Sequence, residues 1–346
     1  MKELLSVSRN ERAQLFQEAT DRSSNIHNPI IIEKDFWVCW VLDKIFSNPS
    51  LSPHITFKGG TSLSKCYNII DRFSEDIDLT LAKSYIGIAG DNDPITATTG
   101  NQRSKRLEQL SHAVKIKIAN DVKPILSEEF RKNISPYFND TEWQLTTDEK
   151  DEQSLIFHYP GCLEKIENGY IDISIKLEFG ARGDNSPCES KTITSYAQQL
   201  LPELFETPFV IKVSSLTAKR TFWEKVTLLH AEYHRDPKKP LPGRMFRHYY
   251  DIVMLDKNNL TKDALQDRAL LSDVVKNKVI YFPSKWANYD EAKIGSLRLY
   301  PNDVFIESLK HDSEKMAEMF FGDAPDFDNI LNEIKRLENV INAGQL

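Results

Sequence analysis

Apolar residues along the chain recur mainly at three- and four-residue spacing, interrupted by short stretches of strict alternation. A first amphipathic helix is predicted over residues 9–19. A second covers 32–46, where Phe36, Trp37, Trp40, Val41 and Ile45 keep helical spacing until Asn48-Pro49 stops it. Residues 54–57 read as a short strand running straight into Lys58-Gly59-Gly60-Thr61-Ser62. Helical spacing returns over 61–70, and residues 77–81 alternate as a second strand. Residues 85–100, with Gly87, Gly90, Pro94 and Gly100, form a polar loop long enough to be expected to move or to cover a site. Leu107, Leu110, Val114, Ile118 and Val122 then predict a long helix that ends at Pro124.

Strands resume over 154–158 and 170–179, followed by a turn-rich stretch over 180–190. Phe222, Val226, Leu229 and Tyr233 mark a helix over 216–233 that delivers into a loop at 234–243, and another helix covers 245–255. The remainder, to Leu346, reads as mainly helical, with Ile330, Ile334, Leu337 and Ile341 on one face. Strands early and helices late predict an α/β (α+β) core followed by a helical lobe. At 346 residues the chain exceeds the usual extent of one hydrophobic core. Two lobes are therefore expected, residues 1–200 and 201–346.

Composition narrows the class of protein. Hydrophobic residues at 40% and charged residues at 27% exclude a disordered or collagen-like chain. No stretch approaches the roughly 18 apolar residues of a membrane span. Met1-Lys2-Glu3-Leu4-Leu5 continues into Arg9, Glu11 and Arg12 without an apolar core of a secretory signal, so a cytoplasmic protein is expected. Cys39, Cys66, Cys162 and Cys188 are far apart and form no CxxC pair, which disfavours a disulfide scaffold and a thiolate zinc site. The net charge of −7 is uneven: residues 219–248 hold eight basic against three acidic residues, or +5, leaving −12 elsewhere. A basic segment on an acidic body suits an anionic ligand held at one place; the alternative is a solvated helix followed by a Lys/Pro-rich loop.

The candidate chemistry lies at the first two strands. Gly59 and Gly60 let the backbone turn tightly and approach a ligand, and the helix start after them offers N–H groups to an anion, with the Thr61 and Ser62 hydroxyls as further donors. The string is not a Walker A loop. Downstream, Asp76 and Asp78 stand two apart on an extended segment and so share a face, an arrangement that suits Mg²⁺ on triphosphate oxygens. In residues 171–179, Asp172, Ser174, Lys176 and Glu178 alternate with apolar positions. Either Asp172 or Glu178 can complete a carboxylate cluster, or both belong to the polar side of a half-buried strand.

Phe57-Lys58-Gly59-Gly60-Thr61-Ser62-Leu63-Ser64-Lys65 and Arg72-Phe73-Ser74-Glu75-Asp76-Ile77-Asp78-Leu79 resemble the signature of the AbiEii/AbiGii family of nucleotidyltransferase toxins, within the DNA-polymerase-β-like superfamily. The resemblance extends to Ile32-Glu33-Lys34-Asp35-Phe36, to residues 175–182, to Arg220-Thr221-Phe222-Trp223-Glu224-Lys225 and to Arg247-His248-Tyr249-Tyr250-Asp251-Ile252. One departure is the fourteen residues between Thr61 and Asp76, which are read as an extra helical turn. The resemblance implies a polymerase-β-like core with a mixed sheet. It implies transfer of a nucleoside monophosphate from an NTP to an acceptor, with Mg²⁺ (two ions about 4 Å apart) and release of pyrophosphate. It also implies an RNA acceptor of the tRNA 3′-end kind, and an antitoxin encoded nearby.

Carried onto this chain, Asp76, Asp78 and Glu178 are the metal carboxylates, and Lys58, Gly59, Gly60, Thr61, Ser62 and Lys65 belong to the nucleotide site. Lys225 and Asp251 match the family's downstream Lys and Asp as further catalytic residues, and either Glu178 or Asp251 can deprotonate the acceptor hydroxyl. By their own positions, Lys225 borders the apolar face of its helix, where it can reach a phosphate or lie on the surface. Asp251 stands four residues after Arg247, the spacing of a plain helical ion pair. His248 is left outside the reacting set. Lys238, Lys239 and Arg244 are expected to contact acceptor phosphates. Two rival readings are a small-molecule nucleotidyltransferase with the same metal site and a non-catalytic nucleotide-binding module.

Overall fold

In the computed structural model the described residues are 1–164, 171–183 and 185–344. Tyr170, Asp184 and Leu346, which fall in an expected strand, turn and helical stretch, lie outside them. The chain forms two compact units: Met1–Cys66 with Phe73–Ser215, and Tyr67–Arg72 with Leu216–Leu346. Where a single cut at residue 200 was expected, a six-residue segment, 67–72, leaves the first unit, joins the second and returns.

The first unit opens with α1 (Lys2–Ser6) and α2 (Arg9–Arg22), the latter started by a capping box between Ser8 and Glu11. The next helix, α3 (Pro29–Ser47), is apolar nearly all round and is buried accordingly. Its Trp37 and Trp40 pack with Phe130, Phe157 and Tyr159. The strand β1 (Ile55–Lys58) leads into α4 (Gly59–Lys65), and β2 (Ile77–Leu81) follows at the expected bounds. The expected helix over 61–70 thus stops at Lys65. The extra length before Asp76 is the excursion into the second unit rather than an added helical turn.

The long helix does not end at Pro124. Helix α5 (Gly100–Lys117) passes through a π turn (Ile118–Val122) into α6 (Lys123–Ile134). The wide turn carries the chain past a residue that has no N–H to give. Strand β3 (Gln144–Thr147), unread in the sequence, pairs with β4 (Ser154–His158), which has its expected bounds. Strand β5 (Ile175–Gly180) starts later than expected, leaving Asp172 and Ser174 before it. Strand β6 (Cys188–Ile193) occupies part of the expected turn-rich stretch, and α7 (Tyr196–Leu200) and β7 (Ile211–Leu216) complete this part of the chain.

The strands form one mixed sheet in the order β3-β4-β5-β2-β1-β7-β6. Within it β2 runs parallel to β5 and antiparallel to β1, and β1 runs parallel to β7. The α/β class read from the sequence is the one observed.

The second unit is helical. It contains α8 (Ala218–Tyr233), capped by the Thr217 side chain, and α9 (Phe246–Lys257). These are followed by α10 (Leu260–Gln266), α11 (Arg268–Tyr281), α12 (Ile306–Lys315) and α13 (Phe327–Ala343). The predicted face of α13, Ile330, Ile334, Leu337 and Ile341, is buried, and Gly344 ends the helix in the left-handed region. Among the described residues no helix is long and apolar enough to cross a membrane.

Candidate active site

Strand pairing in the first unit sets a row of three candidate side chains. In the β1–β2 register Lys58 is opposite Asp78, and in the β2–β5 register Asp78 is opposite Glu178. The alternation expected around Asp78 holds: Ile77 and Leu79 are fully buried, while Asp76 and Asp78 are partly exposed. The turn from β1 into α4 requires glycine. Gly59 has φ +82°, and a Cβ on it would lie 1.9 Å from Asp78 Oδ2. The glycine therefore makes room for the carboxylate as well as for the turn. The side chain of Lys58 reaches back over the sheet, its Nζ 3.6 Å from where a Cβ at Gly183 would sit.

Lys176, treated in the sequence as one more residue of an alternating face, sits among these acids. Its Nζ is 2.7 Å from Glu178 and 3.6 Å from Asp148. Burial lowers the pKa of this ammonium, but Glu178, Asp148 and Asp76 outweigh burial and raise it above its ordinary value. The signal was available, since Lys176 and Glu178 are two apart on one strand face. Asp172 does not share that face, because it precedes β5; its carbonyl accepts from Lys34 Nζ at 2.7 Å.

Three side chains of the glycine loop expected at the nucleotide have partners inside the protein. The Thr61 hydroxyl, expected to serve an anion, donates to the Asp76 carbonyl at 2.5 Å and lies 3.0 Å from Ser74 Oγ. The Ser62 hydroxyl donates to the Gly59 carbonyl at 2.9 Å. Both residues are buried, so the hydroxyls brace the loop from inside. Lys65 is also internal. Its Nζ is 2.7 Å from Asp35 and lies over the Tyr196 ring at 3.8 Å, a position set by core charge pairing rather than by a nucleotide.

The second unit holds a separate buried charge cluster. Asp251 is fully buried on α9 and takes Arg72 at both oxygens, 2.8 Å from Nε and 2.9 Å from Nη2. Lys225 Nζ adds a third contact at 2.8 Å. Thus the partner of Asp251 is Arg72, the first residue of the Asp76 motif, and not Arg247 one helical turn away. Burial pushes the Asp251 carboxyl up, yet Arg72 and Lys225 together hold it below its ordinary range. Burial, with Lys225 and Arg247 nearby, holds the His248 imidazole well below its usual value. Its Nδ1 is 3.3 Å from Lys225 Nζ and accepts from it. Nothing in the sequence singles out Arg72, because a lone arginine carries no spacing signal for a partner so distant in sequence.

The basic loop of this unit has two parts. Lys238 and Lys239 are exposed. Arg244, by contrast, is fixed in the left-handed region at φ 61°, with its N–H donating to Asp312 Oδ1 at 2.8 Å, while the Phe246 N–H takes Oδ2 at 2.8 Å.

The donor chemistry in the first unit fits Mg²⁺. Asp76 and Asp78 supply hard oxygen ligands from neighbouring positions, and magnesium is commonly held by one or two carboxylates together with substrate phosphates. Among the described residues no three His, Cys, Asp or Glu side chains form a ready-made metal cage.

The family described as "Nucleotidyl transferase AbiEii toxin, Type IV TA system" matches residues 40–333. Among solved structures, the chain is similar to MenT4, a nucleotidyltransferase toxin from Mycobacterium tuberculosis H37Rv, at 14% identity and a TM-score of 0.40, covering 98% of this chain and 100% of that one. No curated protein matches the chain.

Proposed function

The chain belongs to the AbiEii family of nucleotidyltransferase toxins of type IV toxin–antitoxin systems, and from that premise we propose that it transfers a nucleoside monophosphate from an NTP to an RNA acceptor of the tRNA 3′-end kind in the cytoplasm. The observation that carries this reading is the placement of Asp78 between Lys58 and Glu178 on three paired strands, against a glycine that clears its carboxylate.

In this reading Asp76 and Asp78 would hold Mg²⁺, with Glu178, now paired with Lys176, as the third carboxylate. Bound there, the metal neutralises phosphate charge and orients the triphosphate. The backbone at Gly59 and Gly60 takes the phosphate end of the nucleotide, and Lys58 offsets its charge. Lys176 keeps the acidic group from repelling itself while no cation is present. Lys225 is assigned to an anionic group of a substrate, its ammonium oriented by Asp251 and His248. Asp251 is not assigned as the general base: a carboxylate held low by two cations is a poor proton acceptor. Lys238 and Lys239 take acceptor phosphates, and Arg244 shapes the end of their loop. The antitoxin partner follows from the family.

The test is to incubate the purified protein with each NTP, labelled at the α-phosphate, and total RNA. Label in a tRNA-sized band supports the reading. Label on small molecules alone replaces the acceptor class, and no transfer with any NTP overturns it.

A further inference from the structure

The segment Ser74 to Asp78 alternates between partly exposed and buried positions, and Glu75 stands where the pattern of Ile77 and Leu79 calls for an apolar side chain. It is 5% exposed. It pairs with Lys34, 1% exposed in the second turn of α3, whose Nζ is 2.5 Å from Glu75 Oε2. The same ammonium donates to the Asp172 carbonyl at 2.7 Å.

These contacts lie at one end of the sheet. Strands β2 and β5 are parallel neighbours, so the residues before each enter from the same side. Glu75 immediately precedes Asp76 and β2, and Asp172 precedes β5, the strand of Glu178. One buried cation therefore ties the entries of the two strands that carry the acidic row. Thr61 ties the same segment as well, donating to the Asp76 carbonyl at 2.5 Å. The residues beside Lys34 act similarly. Glu33 accepts from the Cys162 N–H at 2.6 Å, and Asp35 holds Lys65 at the end of α4 and accepts from the Tyr196 N–H at 2.6 Å.

Stability alone gives little reason for this arrangement. A buried ion pair loses most of its Coulombic gain to desolvation, and well-packed apolar replacements are often as stable or more so. What an apolar pair lacks is a fixed length and direction.

We infer that Lys34 and Glu75 are positioning residues of the transfer reaction: through the Lys34 bridge to Glu75 and the Asp172 carbonyl they set where the Asp76 carboxylate emerges relative to β5. The inference rests on the reading of Asp76 and Asp78 as metal ligands. It makes the length of residue 75 matter more than its charge. Glu75→Asp keeps the charge but shortens the tether by one methylene, whereas Glu75→Gln keeps the length and an acceptor oxygen.

The experiment measures Mn²⁺ affinity by EPR titration with a non-hydrolysable NTP, together with the rate of label transfer to total RNA and Tm. Positioning predicts that Glu75→Asp weakens Mn²⁺ binding and slows transfer by about tenfold or more, the scale expected for sub-ångström displacement. Glu75→Gln stays within about threefold of the parent on both readouts despite a lower Tm, because it leaves the Lys34 ammonium buried without a counter-charge. A purely structural pair gives the opposite order: Glu75→Asp close to the parent throughout, and Glu75→Gln impaired in proportion to its lost stability. That order overturns the inference. If Glu75→Gln does not fold, Glu75→Asp decides alone, parent-like values overturning the inference and tenfold losses at an unchanged Tm supporting it. Asp76→Ala is measured alongside. Should it bind Mn²⁺ like the parent, the metal assignment itself fails; should it lose binding while the Glu75 series is flat, only the positioning role fails.

Discussion

Arg72 and Asp251 form a two-pronged ion pair across 179 positions of sequence, with both side chains buried in the second unit. The first prediction concerns this pair. Its acid is charged in the folded state far more readily than in the unfolded chain, where a carboxyl titrates near pH 3.9. Its contribution is therefore fully present above about pH 4 and is lost as the pH falls further toward the depressed folded-state value. Urea unfolding at pH 6 and pH 3 should show a larger loss for the parent than for Asp251→Asn. At pH 6, Arg72→Met should cost about 3–5 kcal/mol, since it removes one partner of a buried pair.

A second prediction concerns the acidic face of β2. Asp76→Ala and Asp78→Ala should each reduce nucleotide transfer by roughly two orders of magnitude or more, as expected for loss of a ligand to a catalytic cation. Stability without metal should change by no more than about 1 kcal/mol, because the repulsion relieved is offset by the attraction lost to Lys176. Label transfer and a thermal melt in EDTA check both halves.

Gly59 gives a third. Gly59→Ala places a Cβ 1.9 Å from Asp78 Oδ2 on a backbone at φ +82°. The backbone strain alone should cost about 1 kcal/mol, with the collision adding to it. Nucleotide transfer should fall further than stability, because the group displaced is the carboxylate. A variant with parental transfer and a lowered Tm would make the glycine purely structural.

The basic loop supplies the fourth. Substituting Lys238, Lys239 and Arg244 together by Ala should weaken RNA binding at moderate salt and reduce the log–log salt slope by up to about three, near one unit per phosphate contact. Calorimetric titration of NTP controls for a general loss of attraction. If Lys238→Ala/Lys239→Ala accounts for the whole change, Arg244 acts only as the fixed end of the loop, consistent with its backbone bond to Asp312.

The sequence was most legible where one face meets water and the other the core. Strands β2 and β4 have their expected bounds because alternation ends at clear turns in both. Strand β6 was hidden because five of its six residues are polar or exposed, as suits its place at the sheet edge. Pro124 misled because a π turn precedes it, and no pattern of apolar residues encodes that turn. At the site, the shared face of Asp76 and Asp78 was readable from period two, whereas the preference for Glu178 over Asp172 came from the family resemblance alone. The partners of Thr61, Lys65, Arg72 and Lys34 were not, because each is satisfied by a residue brought close only by the tertiary fold.

The excursion of residues 67–72 has a consequence for biosynthesis. The ribosome delivers Arg72 179 residues before Asp251, a wait of about 10–40 s at ordinary elongation rates. During that interval the first unit can acquire every one of its strands while this short stretch still has no unit to join. The same interleaving bears on fragments. Expressed as two polypeptides divided between residues 215 and 216, the chain would leave the guanidinium on one piece and the carboxylate on the other. The helical piece would then have to bury Asp251 with Lys225 as its sole strong counter-ion.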